Sequence, residues 1–333
     1  MPLKRILFLV IVLIPGLKLF CQQDSVLINK KPLVINELVF PLTFDGIPDE
    51  EAWNSVKPLK MIMYSPVFGK DPTEHTDVRI AYDDKYLYAG AWIFYQDPSM
   101  IRSSSLKRDY KGMGSDWFGL FLDTYNDKEN SMMFFTTPDG LRFDAGIQKD
   151  AVRPRPDQEP MNLSWNAFWD VLTRKDSAGW SAEFRIPLSS LRFQEVYGEV
   201  RMGLTVERWI PSKNEINIFP AIPPNWGETS IMKPSQSQEI LFRGINPDKP
   251  LYIAPYTLAG YKSAFDLNDE ETAYMKSNTP DIEAGLDLKF GISRTLVMDV
   301  TVNTDFAQVE ADDQQINLTR YSLYFPEKKM FFL

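Results

Sequence analysis

The sequence holds one cysteine and one histidine in 333 residues. Cys21 closes an apolar leader, so a processed chain has no thiol and no disulfide. With His75 the sole imidazole, zinc sites and Cys/His or Ser/His nucleophile pairs lack their parts. His75 sits in "DPTEHTDV", a polar loop ahead of a strand, and reads as a solvated side chain. Internal repeats, low-complexity tracts and heptads are also missing. Net charge is −9 and no basic patch stands out, which excludes nucleic acid as a partner.

What is present favours strands. Hydrophobic residues make up 44% of the chain and aromatics 13%, enough for a sizeable core. With 24 prolines and 17 glycines among abundant Phe, Tyr and Trp, many short strands and turns are expected rather than long helices. The opening "MPLKRILFLVIVLIPGLKLFCQQ" has the parts of a signal peptide over residues 1–21: Lys4 and Arg5, then an apolar run from Ile6 to Ile14 too short to span a bilayer. Acylation of Cys21 is the rival reading, but Phe20 stands where a lipoprotein signal needs a small residue. Export to the periplasm or outer membrane of a Gram-negative bacterium is therefore expected.

Residues 36–243 carry dense strand signals. "TDVRIAYDDKYLYAGAWIFYQD" reads as two strands turning at Asp83-Asp84. In "SDWFGLFLDTYND", Trp117, Gly119, Phe121 and Asp123 share one face, and Phe118, Leu120 and Leu122 the other. "SMMFFTTPDGLRFDAGI" is a hairpin around Asp139-Gly140, and "FWDVLTRKDSAGWSAEFRIPL" turns between Asp176 and Gly179. Apolar residues on both strand faces imply two stacked sheets, an all-β sandwich.

A linker is expected at 244–250, around "INPDKP", and the texture changes after it. From 251 to 333 the strands alternate strictly: Ala284, Leu286, Leu288 and Phe290 face one way, Gly285, Asp287, Lys289 and Gly291 the other. This is the pattern of an outer-membrane barrel, although a second soluble antiparallel sheet has the same period. Only three or four such strands are readable, too few to close a barrel, so the apolar ending "MFFL" reads as a cut within a longer protein.

Several phrases together resemble carbohydrate-binding module family 9-like domains: "FDGIPDEEAW" (Phe44 to Trp53, with Phe44 in place of an aliphatic residue), "YDDKYLYAG", "SDWFGLFLDTYND" and "GWSAEFRIPLSSLRF". The later stretch, with Asn303, Asp305, Phe306, Gln308, Val309 and Glu310, then Asn317-Leu318 and Phe325-Pro326-Glu327, resembles an uncharacterised outer-membrane β-barrel family, the domain of unknown function 5916 type, which commonly follows such modules. The resemblance implies a family 9-like sandwich, then the first strands of a truncated antiparallel barrel. It also implies a sandwich that holds glycan by stacking rings, without a mapping of the family's two stacking tryptophans onto this chain.

Pyranose rings offer flat C–H faces to Trp and Tyr while their hydroxyls pair with polar groups at the rim. Trp169 and Trp180 stand inside strand patterns and read as core. Tyr110, Trp165 and Trp226 lie in Gly-, Pro- or Asn-flanked loops and Trp209 at a strand end, so these four are the candidate platforms. Arg108 and Asp116 flank the Tyr110 loop as candidate hydrogen-bonding partners. Among enzymes only a glycosidase, using two of Asp116, Asp123, Asp170 and Glu183, is left open, and no motif selects a pair. No cofactor is expected beyond a structural calcium ion, for which Asp123–Asn130 and Asp266–Glu271 are acidic loops lacking the calcium-loop glycine and glutamate. The expectation is a glycan-binding module beside an outer-membrane barrel. The alternatives are a structural or plug module without sugar binding, and a glycosidase-associated protein of carbohydrate catabolism.

Overall fold

The computed structural model describes residues 31–38, 41–110, 112, 114–153, 159–163, 165–245, 251–267, 272–292 and 297–303. The leader, most of the 244–250 linker, the second acidic loop beyond Leu267 and the apolar ending lie outside the described residues.

The chain is all-β, and the helical turns among the described residues are short 3-10 segments. In chain order the strands are β1 (Leu33–Val34), β2 (Asn36–Glu37), β3 (Ile62–Ser65), β4 (Thr76–Tyr82), β5 (Tyr86–Phe94), β6 (Trp117–Asp123), β7 (Ser131–Thr136), β8 (Arg142–Ile147) and β9 (Met161–Asn162). They continue with β10 (Asp170–Lys175), β11 (Gly179–Pro187), β12 (Glu195–Val196), β13 (Glu199–Ile210), β14 (Glu215–Phe219), β15 (Gln238–Arg243), β16 (Leu251–Leu267), β17 (Tyr274–Gly291) and β18 (Val297–Val302).

A large sheet runs in the order β1-β15-β13-β6-β7-β8-β9, with β12 and β14 also on β13 and β3 on β14. A smaller sheet runs β10-β11-β5-β4-β2. The expected hairpins form for local reasons. Asp83 Oδ1 accepts from the Lys85 and Tyr86 N–H groups at 2.8 and 2.7 Å, closing the β4–β5 turn. Gly140, at φ 76°, takes the left-handed position between β7 and β8. Asp176 Oδ1 accepts from Ala178 and Gly179 between β10 and β11.

Period-two alternation then makes the sandwich. Phe118, Leu120 and Leu122 of β6, Leu204 and Val206 of β13 and Phe242 of β15 face Val78, Ile80, Ala91, Ile93 and Phe184 from the smaller sheet in one core. Trp169, just ahead of β10, and Trp180 of β11 are both buried in it as expected, and the Trp169 and Phe184 rings stack at 5.7 Å.

One inward side chain breaks the apolar pattern. Arg208 of β13 is 1% exposed and reaches from the large sheet to the small one. Its Nη1 donates to the Glu74 and His75 carbonyls and to Thr76 Oγ1, at 3.2, 3.0 and 2.8 Å, and its Nη2 donates to the Phe94 carbonyl at 2.9 Å. The guanidinium also lies 4.9 Å from the Tyr95 ring centroid. Burial pulls its pKa down to about 10, against the opposing fields of Asp116, Glu74 and Glu215.

Glu183 turns away from the core, on the outer face of the smaller sheet. Its Oε2 accepts from the Asp45 and Gly46 N–H groups at 3.0 and 2.8 Å, pinning the "FDGIPDEEAW" segment to β11. Gly46, at φ 92°, has the Thr173 backbone 3.0 Å from where a Cβ would sit, so glycine is required there. Trp53 from the same segment is buried and meets Trp92 edge-to-face at 6.4 Å. The family-like phrases thus hold one another together.

The last strands form a separate three-stranded antiparallel sheet, β16-β17-β18, and no barrel closes among the described residues. Its strands are long, 17 residues in β16 and 18 in β17. Among the described residues no helix is long and apolar enough to cross a membrane, which says nothing of strands.

Candidate functional site

The outer face of the large sheet is covered rather than solvated. Ile222 and Ile231, from the connection between β14 and β15, join Ala151 over Phe121, Met133, Phe135, Phe143, Ile147 and Ile218 to make a second apolar layer. Gly119 of β6 lets this face close: a Cβ there would sit 2.4 Å from the Phe135 ring. The ring occupies the space a side chain would have filled.

This layer opens into a cleft of about 470 Å³. Trp117, Phe135, Phe143, Met133 and Met161 form its apolar part, and Arg153, Glu159, Glu228 and Thr229 its polar part. The Trp117 indole donates from Nε1 to the Gly112 carbonyl at 3.1 Å and meets Phe143 edge-to-face at 5.9 Å. Arg153 Nη1 pairs with Glu228 Oε2 at 3.0 Å, with both side chains open to water. An aromatic surface beside hydrogen-bonding groups of both signs can hold a ring that has apolar faces and a polar edge.

Register places Trp209 directly opposite Trp117, and Glu207 opposite Gly119 and Ile218. Cross-strand partners share a face, so Trp209 and Glu207 belong to this side of the sheet. Burial pushes the Glu207 carboxyl up to about 7. The folded-state value lies above that of the unfolded chain, so Glu207 favours folding in its protonated form. That contribution is full below about pH 4 and is lost as pH rises through about 7. Glu207→Gln is therefore expected to raise stability at pH 8 by about 1–3 kcal/mol and to leave it unchanged at pH 4. Urea denaturation at the two pH values checks this, and an equal gain at both would count against it.

Residues 249–333 match the model of a domain of unknown function, DUF5916. Among curated proteins none matches this chain. Solved structures do. A carbohydrate-binding module of family 9 from Caldicellulosiruptor kristjanssonii, in complex with cellotriose, is 18% identical with TM-score 0.42, over 65% of this chain and 95% of its own. Its complex with glucose gives 19% and 0.43, over 66% and 98%. A candidate carbohydrate-binding protein from Bacteroides uniformis is 12% identical with TM-score 0.47, over 64% of this chain and all of its own. The DUF5916 match takes in β16, β17 and β18.

The six side chains singled out from the sequence do not form one site. Trp209 is partly buried beside Trp117. Trp226 is 51% exposed in the short turn Pro224–Trp226, two residues ahead of Glu228 in the cleft wall. Tyr110 is 40% exposed and belongs to the loop whose Gly112 carbonyl holds the Trp117 indole. The other three have different work. Trp165 packs on the inner side of the sheet, edge-on to Phe134 at 5.9 Å and over Gly146. Arg108 Nη2 donates to Asp144 Oδ1 at 2.6 Å and to Asn166 Oδ1 at 2.8 Å, fixing the loop before β10 to β8. Asp116 is 1% exposed, accepts from the Arg102 N–H at 2.7 Å and lies in the field of Arg208. A side chain that buried cannot serve a rim, and its carboxyl is pushed up to about 6 by burial.

The other acids are also engaged. Asp170 pairs with Arg185 at 2.9 Å and Glu183 anchors the Asp45–Gly46 backbone. Asp123 accepts from the Asp127 and Lys128 N–H groups and Asp127 from those of Glu129 and Asn130, so this acidic turn spends carboxylate oxygens on its own backbone. Among the described residues no group of three or more His, Cys, Asp or Glu side chains is placed to hold a metal. The sequence reading missed the cleft floor. Trp117 was visible as a strand-start aromatic, but Phe135, Phe143, Arg153 and Glu228 meet it only through long-range pairing and the returning connection.

Proposed function

We propose that the sandwich binds carbohydrate without transforming it, seating a pyranose against Trp117 in the outer-face cleft. The observation that carries this reading is one cavity lined both by Trp117, Phe135 and Phe143 and by Arg153, Glu159 and Glu228. Aromatic faces take the sugar C–H surfaces, and the charged groups take hydroxyls as donors and acceptors. Glucose and cellotriose, which the Caldicellulosiruptor modules bind, are natural first probes, followed by a wider glycan panel. Calorimetric titration of the chain is expected to give saturable binding in the micromolar-to-millimolar range typical of small polar ligands. Absence of binding across the panel would overturn the reading.

The setting we propose is the outer membrane, with residues 251–333 opening a barrel. In β16–β18 the apolar side chains face outward to the surroundings: Leu251 is 66% exposed, Ile253 59% and Ile282 81%. On the other side Asp287 is buried and accepts from Thr301 Oγ1 at 2.8 Å, and Lys289 pairs with Asp299 at 3.9 Å. An apolar outside with a polar inside suits lipid. In a Gram-negative host the protein is expected to sediment with the outer membrane, and recovery only in the soluble fraction would exclude this setting.

A further inference from the structure

We propose a second carbohydrate site at the opposite end of the large sheet, between Tyr125 and Tyr197. β6 runs from Trp117 to Asp123, so Tyr125 lies beyond the far end of the strand that begins at the first cleft, roughly 20 Å away at strand rise. A cavity of about 350 Å³ lies here, lined by Tyr125, Tyr197, Asn126, Gln194, Glu199 and Arg201.

Tyr197 is the telling residue. It sits with Gly198 at the tip of the β12–β13 hairpin, where Val196 pairs with Glu199. Both tip residues have positive φ, 54° and 78°. Such a two-residue turn favours Asn-Gly, and a bulky side chain in the left-handed region is disfavoured. The side chain is nevertheless tyrosine, and it is 100% exposed. The ring is left wholly open to solvent at the cavity it helps to line. Tyr125 across the cavity is 44% exposed.

The polar rim is already ordered. Arg201 pairs with Glu239 at 2.6 Å and with Glu199 at 3.2 Å. Asn126 Nδ2 donates to Glu239 Oε2 at 3.4 Å, and its Oδ1 accepts from Lys128 Nζ at 2.5 Å. One network therefore fixes an amide, a guanidinium and two carboxylates. Arg201 is held by Glu239 and Glu199, and Glu199 also pairs with Arg243 at 3.5 Å, so the rim carries paired charges of both signs and does not single out a phosphate or a polyanion. Two exposed tyrosines and a charge-balanced hydrogen-bonding rim suit a neutral, polyhydroxylated ring ligand. Sites at both ends of one sheet would let a single module engage two chain segments of a polysaccharide and gain avidity.

The test is affinity electrophoresis of the full chain in gels holding hydroxyethylcellulose, xylan or pullulan, with Tyr197→Asn, Tyr125→Ala and Trp117→Ala compared. Asparagine is at home in the left-handed turn, so Tyr197→Asn keeps or improves stability while removing the ring. At least one polysaccharide is expected to retard the wild type, with Tyr197→Asn and Tyr125→Ala each weakening retardation at least fivefold. Trp117→Ala should leave residual retardation that Tyr197→Asn then abolishes. Retardation lost on Tyr197→Asn but untouched by Trp117→Ala would support this site while removing the first one. Retardation unchanged in Tyr197→Asn and Tyr125→Ala for every polysaccharide, or no retardation of the wild type, would overturn the proposal.

Discussion

Replacing Arg208 with alanine is expected to destabilise the sandwich by about 3–5 kcal/mol, the range for removing one partner from a buried charge network. The guanidinium joins the two sheets through the Glu74, His75 and Phe94 carbonyls and Thr76 Oγ1, and alanine reaches none of them. Asp116, Glu74 and Glu215, at 1%, 3% and 2% exposure, would lose the cation whose field they share. Lys213 remains beside Glu74, and Glu215 keeps its bonds from Thr73, so the damage concentrates at Asp116 and at the acceptors left unpaired at the ends of β4 and β5. Asp116 would respond by binding a proton at higher pH, which shifts the loss toward alkaline conditions. Arg208→Lys keeps a charge without the planar fork and is expected to recover only part of the stability. Urea denaturation of the three proteins measures this. A loss under about 1 kcal/mol for the alanine variant would mean that the sheets are held by apolar contact alone.

Arg208 also shows what the sequence could have told and what it could not. In "TVERWI" it alternates with Val206 and Ile210 on the buried phase of β13, and a charge in that phase marks a buried polar network. Its partners are carbonyls more than a hundred positions away, which no local pattern reveals. The strands and turns were legible because their causes are local: the alternation in β6, the Asp139-Gly140 turn, the Asp176 side chain bracing the β10–β11 turn. Glu183 marks the limit of that approach. Arg185, two positions on, is its nearest cation in sequence, yet its partners are two backbone N–H groups at Asp45 and Gly46. Asp116 reads as a rim acid because it flanks the Tyr110 loop, but its carboxylate turns inward to accept from the Arg102 N–H and lies in the field of Arg208. The cleft was hidden for a related reason. Whether an outward strand face meets water or a returning segment depends on where the β14–β15 connection lies, and its polar, proline-rich sequence gives no sign that Ile222 and Ile231 fold back over the sheet.

Trp117→Ala is expected to weaken glycan binding by the cleft about 10- to 100-fold, as truncation of a central aromatic anchor generally does. The indole offers the widest ring surface in the cavity, and its Nε1–H is already satisfied by the Gly112 carbonyl, so its face remains for the ligand. Alanine would remove the platform and also free the 112 loop that carries Tyr110. Trp117→Phe separates these effects: it keeps a ring face but loses the bond to Gly112, and should retain more affinity than alanine while loosening the loop equally. Trp226→Ala, outside the cavity lining but on the adjacent turn, is expected to cost less than tenfold. Trp117 is partly buried, so its removal will also lower stability, and binding must be compared at temperatures where thermal melts show every variant folded. The ligand-induced change in tryptophan emission gives a second readout, present in the wild type and diminished in Trp117→Ala. If the alanine variant, shown to be folded, bound the same glycans with unchanged affinity, the outer-face cleft would not be where the sugar sits.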